Sequence, residues 1–151
     1  GRAIIVFRIY QCYKSDSALI RNERGALQKQ IERETGIYLA QEAQIKVPIL
    51  LEEQVVIGKN CVINGRCIIR SGTRVASGSD KMVFIDENVY IGENCVIEGL
   101  CSIGKNCIIE EGCKIGKNVS NFTMVMHGIN KSISQQEYND YINEKFKEVN
   151  L

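Results

Sequence analysis

From Leu39 to Ser120 a large aliphatic residue returns at every sixth position: Leu39, Ile45, Leu51, Ile57, Ile63, Ile69 and Val75, then, after a break, Ile85, Ile91, Ile97, Ile103, Ile109 and Ile115. Four places after each stands a second, usually smaller apolar residue: Ala43, Ile49, Val55, Cys61 and Cys67, later Val89, Cys95, Cys101, Cys107, Cys113 and Val119, with Thr73 the polar exception. Gly and Asn fill the space between, as in Ile57-Gly58-Lys59-Asn60-Cys61, and these residues tolerate the positive φ of tight corners. Each hexad therefore predicts one short strand and one corner. An amphipathic helix would need a spacing near 3.6 and would not accept Gly or Asn in nearly every turn. A hairpin meander would need longer alternating strands. Three hexads closing into a triangular coil bury the aliphatic stack inside, and coils laid on one another satisfy each other's backbone groups. The expected fold is mainly β, a single-stranded parallel β-helix of hexapeptide repeats.

The phase breaks once. Val75 and Ile85 are ten residues apart where six are expected, so about four extra residues bulge around Ala76 to Lys81, giving an expected loop over 76–84. Loops on a rigid scaffold often carry function, and a tolerated surface insertion is the plain alternative. Outside the repeat the period turns helical. Val6, Ile9, Tyr10 and Tyr13, then Ile20, Leu27 and Ile31 before Gly36, predict two amino-terminal helices within 1–38. At the other end Ser134-Gln135-Gln136-Glu137 is a capping box, with Tyr138, Tyr141, Ile142, Phe146 and Val149 as one stripe behind it. The expected division is 1–38 helical, 39–133 β-helix and 134–151 helical, the two ends capping a solenoid whose terminal coils would otherwise be bare.

With 151 residues, 44% of them hydrophobic and 25% charged, the chain fits one compact domain and not a disordered one. A net charge of +1 without a basic block argues against nucleic acid as partner. The apolar run Ala3 to Phe7 is too short to span a bilayer or to serve as a signal peptide, so no membrane partner and a cytoplasmic location are expected. The Asn-x-Ser/Thr matches at Asn118, Asn121 and Asn130 carry weight only in a secreted protein. Six of the seven Cys fall in the inward slot of a hexad, where free thiols act as small hydrophobes. Their Cys-x5-Cys spacing is not that of a zinc site, so no metal is expected. Cys12 stands outside the repeat with no base beside it in sequence.

Three stretches carry a family likeness: Ile31-Glu32-Arg33-Glu34-Thr35-Gly36-Ile37 before the first coil, Ile85-Asp86-Glu87-Asn88-Val89-Tyr90-Ile91-Gly92 after the insertion, and Met126-His127-Gly128-Ile129-Asn130-Lys131 near the end. On these the chain resembles the hexapeptide-repeat acyltransferases, most closely the serine acetyltransferase and polysaccharide O-acetyltransferase branch. The resemblance implies a left-handed coil, a homotrimer, and acetyl-CoA held between subunits, its acetyl group passing to a hydroxyl or amine of a small-molecule acceptor such as serine or a sugar. Such transfer needs a base for the acceptor's proton and donors for the oxyanion. The family uses His for the base, but its positions here read Met82, and Glu52 or Glu53. His127, the single imidazole, is then the candidate replacement base, with Glu52 and Asp80 as carboxylate candidates. An exposed Glu is a weaker base than imidazole near neutral pH. Lys105, Lys114, Lys117 and Lys131 are the candidates to hold CoA phosphates, offsetting the carboxylates of Glu93, Glu110 and Glu111. The competing reading is a non-catalytic homologue that keeps the scaffold as a structural or regulatory assembly partner.

Overall fold

A computed structural model describes residues 37–40, 42–46, 48–52, 54–71 and 83–149. The expected amino-terminal helices, Cys12 and Asp80 lie outside the described residues. The hexads fold as their spacing requires: each gives one strand of two to four residues, and successive strands turn onto three sheets in rotation. The first sheet holds β1 (Ile37–Leu39), β4 (Val55–Ile57), β7 (Val83–Ile85) and β10 (Ser102–Ile103). The second holds β2 (Gln44–Ile45), β5 (Val62–Ile63), β8 (Tyr90–Ile91), β11 (Ile108–Ile109), β13 (Thr123–Met126) and β14 (Ile129–Ser132). The third holds β3 (Ile49–Glu52), β6 (Cys67–Arg70), β9 (Val96–Glu98) and β12 (Lys114–Ile115). Every pairing is parallel except that of β13 with β14. This is the left-handed β-helix that the repeat and its family likeness imply.

Both apolar positions of the hexad point inward. Ile57, Ile63, Ile69, Ile85, Ile91, Ile97, Ile103 and Ile109 are at most 1% exposed. The thiols of Cys61, Cys67, Cys95, Cys101, Cys107 and Cys113 are free and buried beside them. Several thiols also tie one coil to the next: Cys61 Sγ donates to the Asp86 carbonyl at 2.9 Å and Cys107 Sγ to that of Ser120 at 3.0 Å. Burial raises the Cys61 thiol to about 11. Corners take the positive φ expected of them at Asn60, Asn88, Asn94 and Asn106, and also at Arg66 and Phe122, which the composition of the corners does not announce.

Register corrects the size of the insertion. Ile37 pairs with Val55, eighteen residues on, but Val55 pairs with Val83, twenty-eight on, so ten residues are inserted after Ser71 and not four. Ile85, and not Val75, therefore occupies the place next to Ile57. Val83 and Phe84, expected in the loop, are strand because they pair with Val55 and Val56. The last coil errs the other way. Val119 bridges to Ile103, sixteen residues back, so this coil is two residues short and Val119 fills a large-residue position.

The coil also ends earlier than expected. Gly128, at φ 73°, lets the chain reverse at His127-Gly128, and β14 returns antiparallel along β13, so 129–132 are hairpin and not β-helix. Helix α1 (Gln135–Val149) follows. Its capping box forms: Ser134 Oγ accepts the Glu137 N–H at 3.1 Å, and Glu137 Oε1 accepts the Ser134 N–H at 3.2 Å. Four members of the predicted stripe, Tyr138, Tyr141, Ile142 and Phe146, then lie on the outer face of the second sheet. Tyr141 meets Tyr90 edge to face at 5.6 Å, and Tyr138, Ile142 and Phe146 face Val62 and Tyr90.

Candidate functional site

The shortened last coil and the hairpin leave a cleft of about 640 Å³ at the carboxyl-terminal end of the solenoid. Strand β12 forms one wall. It is the last strand of the third sheet among the described residues, so its outer edge has no neighbouring strand. The β13–β14 turn forms the opposite wall and presents His127 and Gly128. Lys114, from β12, and Lys117 and Asn118, from the shortened corner, complete the rim with Asn130 of β14. No carboxylate lines the cleft among the described residues.

Local sequence explains each placement. Gly112 takes φ 76°, and a Cβ built there would lie 3.3 Å from His127 Cε1, so the imidazole rests directly over this glycine. A side chain at position 112 would crowd it, and the positive φ there would strain any residue but glycine. Asn118 is held by its Oδ1, which accepts the Ser102 N–H at 2.9 Å and leaves its NH2 free of that bond. Asn121 does the same one corner on, accepting the Lys105 N–H at 2.8 Å. These asparagines are corner staples, a role their Asn-x-Ser/Thr context does not reveal.

Of the residues singled out from the sequence, the structure brings together His127, Lys114 and Lys117. Lys105 sits at a different corner. Lys131, on β14, pairs with Glu137 at 3.7 Å. Glu52 is level with Arg70 and Glu98 on the third sheet, three strands below β12, or roughly 14 Å at the usual strand spacing. Arg70 is engaged there with Glu98 at 3.3 Å. Sequence reasoning missed Asn118 and Asn130 as rim residues, because only the short coil and the hairpin carry them to the cleft. Among the described residues no cluster of His, Cys, Asp and Glu is placed to hold a metal ion. None of the described helices is long and apolar enough to cross a membrane.

The repeat and the fold have counterparts among known proteins. Residues 82–117 match the family model for "Bacterial transferase hexapeptide (six repeats)". No curated protein matches the chain in sequence. Among solved structures, a serine acetyltransferase in complex with cysteine superposes with a TM-score of 0.50 at 17% identity, over 88% of this chain and 58% of that one. Serine acetyltransferase from Neisseria gonorrhoeae gives 0.47 at 20% identity, over 88% of this chain and 55% of that one. A hexapeptide-repeat containing acetyltransferase from Vibrio cholerae gives 0.47 at 18%, over 82% and 84%. The chain thus spans little more than half the length of the serine acetyltransferases. Residues 82–117 thus carry the hexapeptide repeat that this model describes, and the fold is a left-handed parallel β-helix.

Proposed function

We propose that the chain is a CoA-dependent acyltransferase, moving an acyl group, acetyl in the simplest case, from the thioester to a hydroxyl or amine of a small metabolite such as serine or a sugar. The observation that carries this reading is the cleft itself, which the single imidazole of the chain, seated over a glycine corner, lines together with two lysines. The His127 imidazole takes the proton from the acceptor as its oxygen or nitrogen attacks the thioester carbonyl. The tetrahedral intermediate then collapses, expelling the CoA thiolate, which recovers that proton from the imidazolium. Lys114 and Lys117 attract the CoA phosphates, and the Asn118 NH2 is a donor within reach of the same cleft.

A homotrimer in the cytoplasm belongs to the same proposal. Tyr38, Val56 and Phe84 are cross-strand neighbours on the outer face of the first sheet, with Tyr38 43% and Phe84 38% exposed, and such an apolar stripe supports contact between copies. Light scattering tests this, and a monomer at working concentration refutes it.

The activity test is calorimetric titration with acetyl-CoA and CoA, followed by thiol release over candidate hydroxyl and amine acceptors. Saturable binding and turnover are expected, and absence of both at high ligand concentration refutes the reading. His127→Ala should lower kcat by about 10²–10⁴-fold, the usual contribution of a general base. Lys114→Gln and Lys117→Gln should act mainly on KM.

A further inference from the structure

Helix α1 does not close fully on the second sheet. Beside the contact of Tyr141 with Tyr90, a cavity of about 290 Å³ remains between the helix and the outer face of the sheet. Three aromatic rings line it: Tyr90 from the sheet and Tyr138 from the helix, both half-buried, and Phe146, which is 39% exposed. The polar lining comes from a corner of the coil. Asn60, Asn88 and Asn106 take that corner on three successive coils, with φ of 58°, 58° and 57°. The helix engages the uppermost amide, as Asn106 Nδ2 donates to Gln135 Oε1 at 3.4 Å. The side chains of Asn60 and Asn88 make no hydrogen bond with any described residue, and both line the cavity. Gln44 and Glu42 complete its rim, and no cationic side chain lines it among the described residues.

Aromatic faces beside unpaired amides suit a ring that is apolar on its faces and hydroxylated round its edge. The C–H face lies on an aromatic ring, while each amide donates to one hydroxyl and accepts from the next, a double capacity that neither lysine nor a carboxylate has. The volume is close to the lower end of the roughly 300–1,000 Å³ of small-molecule clefts, which suits a single ring. We infer that this cavity binds a neutral saccharide unit, with its ring face against the Tyr90, Tyr138 and Phe146 side chains and its hydroxyls at Asn60 and Asn88. The site shares no lining residue with the His127 cleft, so the inference is independent of the acyltransferase reading.

The test is saturation-transfer NMR titration of the full chain with methyl β-glucoside, methyl β-galactoside and N-acetylglucosamine. Tetramethylammonium serves as the charge control, since an organic cation would also favour aromatic faces and the Glu42 carboxylate. At least one sugar should bind saturably with a Kd on the order of 1 mM, as expected for one ring held by two amides and stacked on aromatic side chains. Asn88→Gly removes the amide while keeping a residue that accepts the positive φ, and should weaken that sugar about 2–10-fold. Phe146→Ala should weaken it by a similar factor through the lost ring contact. Asn94→Gly, at φ 60° on a different corner, should leave the affinity unchanged, and none of the three variants should alter CoA binding. If Phe146→Ala loosens the helix, Asn88→Gly against Asn94→Gly still decides the matter. No saturable binding of any of the three sugars, tighter binding of tetramethylammonium than of the sugars, or an Asn88→Gly affinity equal to that of Asn94→Gly would each overturn the inference.

Discussion

Coil stacking makes a sharp demand at Gly92 that it does not make at Gly116. The two glycines stand at corresponding hexad positions, each directly after an inward isoleucine, Ile91 and Ile115. Gly92 has a coil above it. A Cβ there would lie 2.7 Å from the Glu111 nitrogen and 3.0 Å from Glu111 Cα, both backbone atoms that cannot rotate aside. The Gly92 N–H also donates to the Ile109 carbonyl at 2.8 Å, so relieving the clash means separating the rungs that this bond joins. At Gly116 the nearest atom, the Glu98 carbonyl oxygen, would be 3.7 Å away, an ordinary contact. Overpacking of a tight interior costs about 1–3 kcal/mol, and a backbone obstacle puts Gly92→Ala toward the upper end. Gly116→Ala should instead be neutral or gain about 0.4–1 kcal/mol through the lower entropy of the unfolded chain. Urea unfolding followed by circular dichroism reads both, and the Gly92 variant should also melt roughly 5–10 °C lower. Equal losses in the two variants, or an unperturbed Gly92→Ala, would refute the stacking argument.

Three further outcomes follow from other parts of the molecule. Burial holds Cys61 protonated up to about 11, well above a thiol in the unfolded chain, so the folded state keeps a proton that the unfolded state loses and stability falls as pH rises from about 9 to 11. The thiol is 0% exposed, and the loss at the upper end is on the order of 2–3 kcal/mol. Urea midpoints at pH 8 and 10.5 should show it, with a shallower decline in Cys61→Ala; an identical decline would count against burial as the cause. Ser134→Ala removes the oxygen that accepts the Glu137 N–H and should cost about 1 kcal/mol, read by the same unfolding assay, with no loss pointing to a cap held by solvent. Ile97→Ala, in the fully buried stack, should cost about 2–5 kcal/mol, and a loss below 1 would mean that the coils collapse onto the cavity.

Much of the fold is legible before any coordinates because a coil of three hexads leaves each residue one role. Ile57, Cys61 and Asn60 declare inward, inward and corner by position and chemistry together, and six thiols that resemble ligands by number are core by phase. The candidate site is legible only in part. His127, Lys114 and Lys117 stand out by residue type, yet nothing in sequence separates them from Lys105, Lys131 or Glu52, which the fold sends to other places.

Sequence by itself determined the period, the inward residues and the capping box of α1, since each depends on spacing within a few residues. Tertiary structure decided whatever depends on counting between coils. Val75 fits the six-residue period as well as any true repeat position, so only the pairing of Val55 with Val83 reveals that ten residues are inserted and not four. Val119 fits its small-residue slot equally well, and only its bridge to Ile103 shows a coil two residues short. That shortening, with the reversal at Gly128, leaves the cleft at the end of the solenoid and sets His127 over Gly112. The physical reason is the same throughout: a repeat fixes which way a side chain points, while partners eighteen, twenty-eight or sixteen residues away fix what it meets.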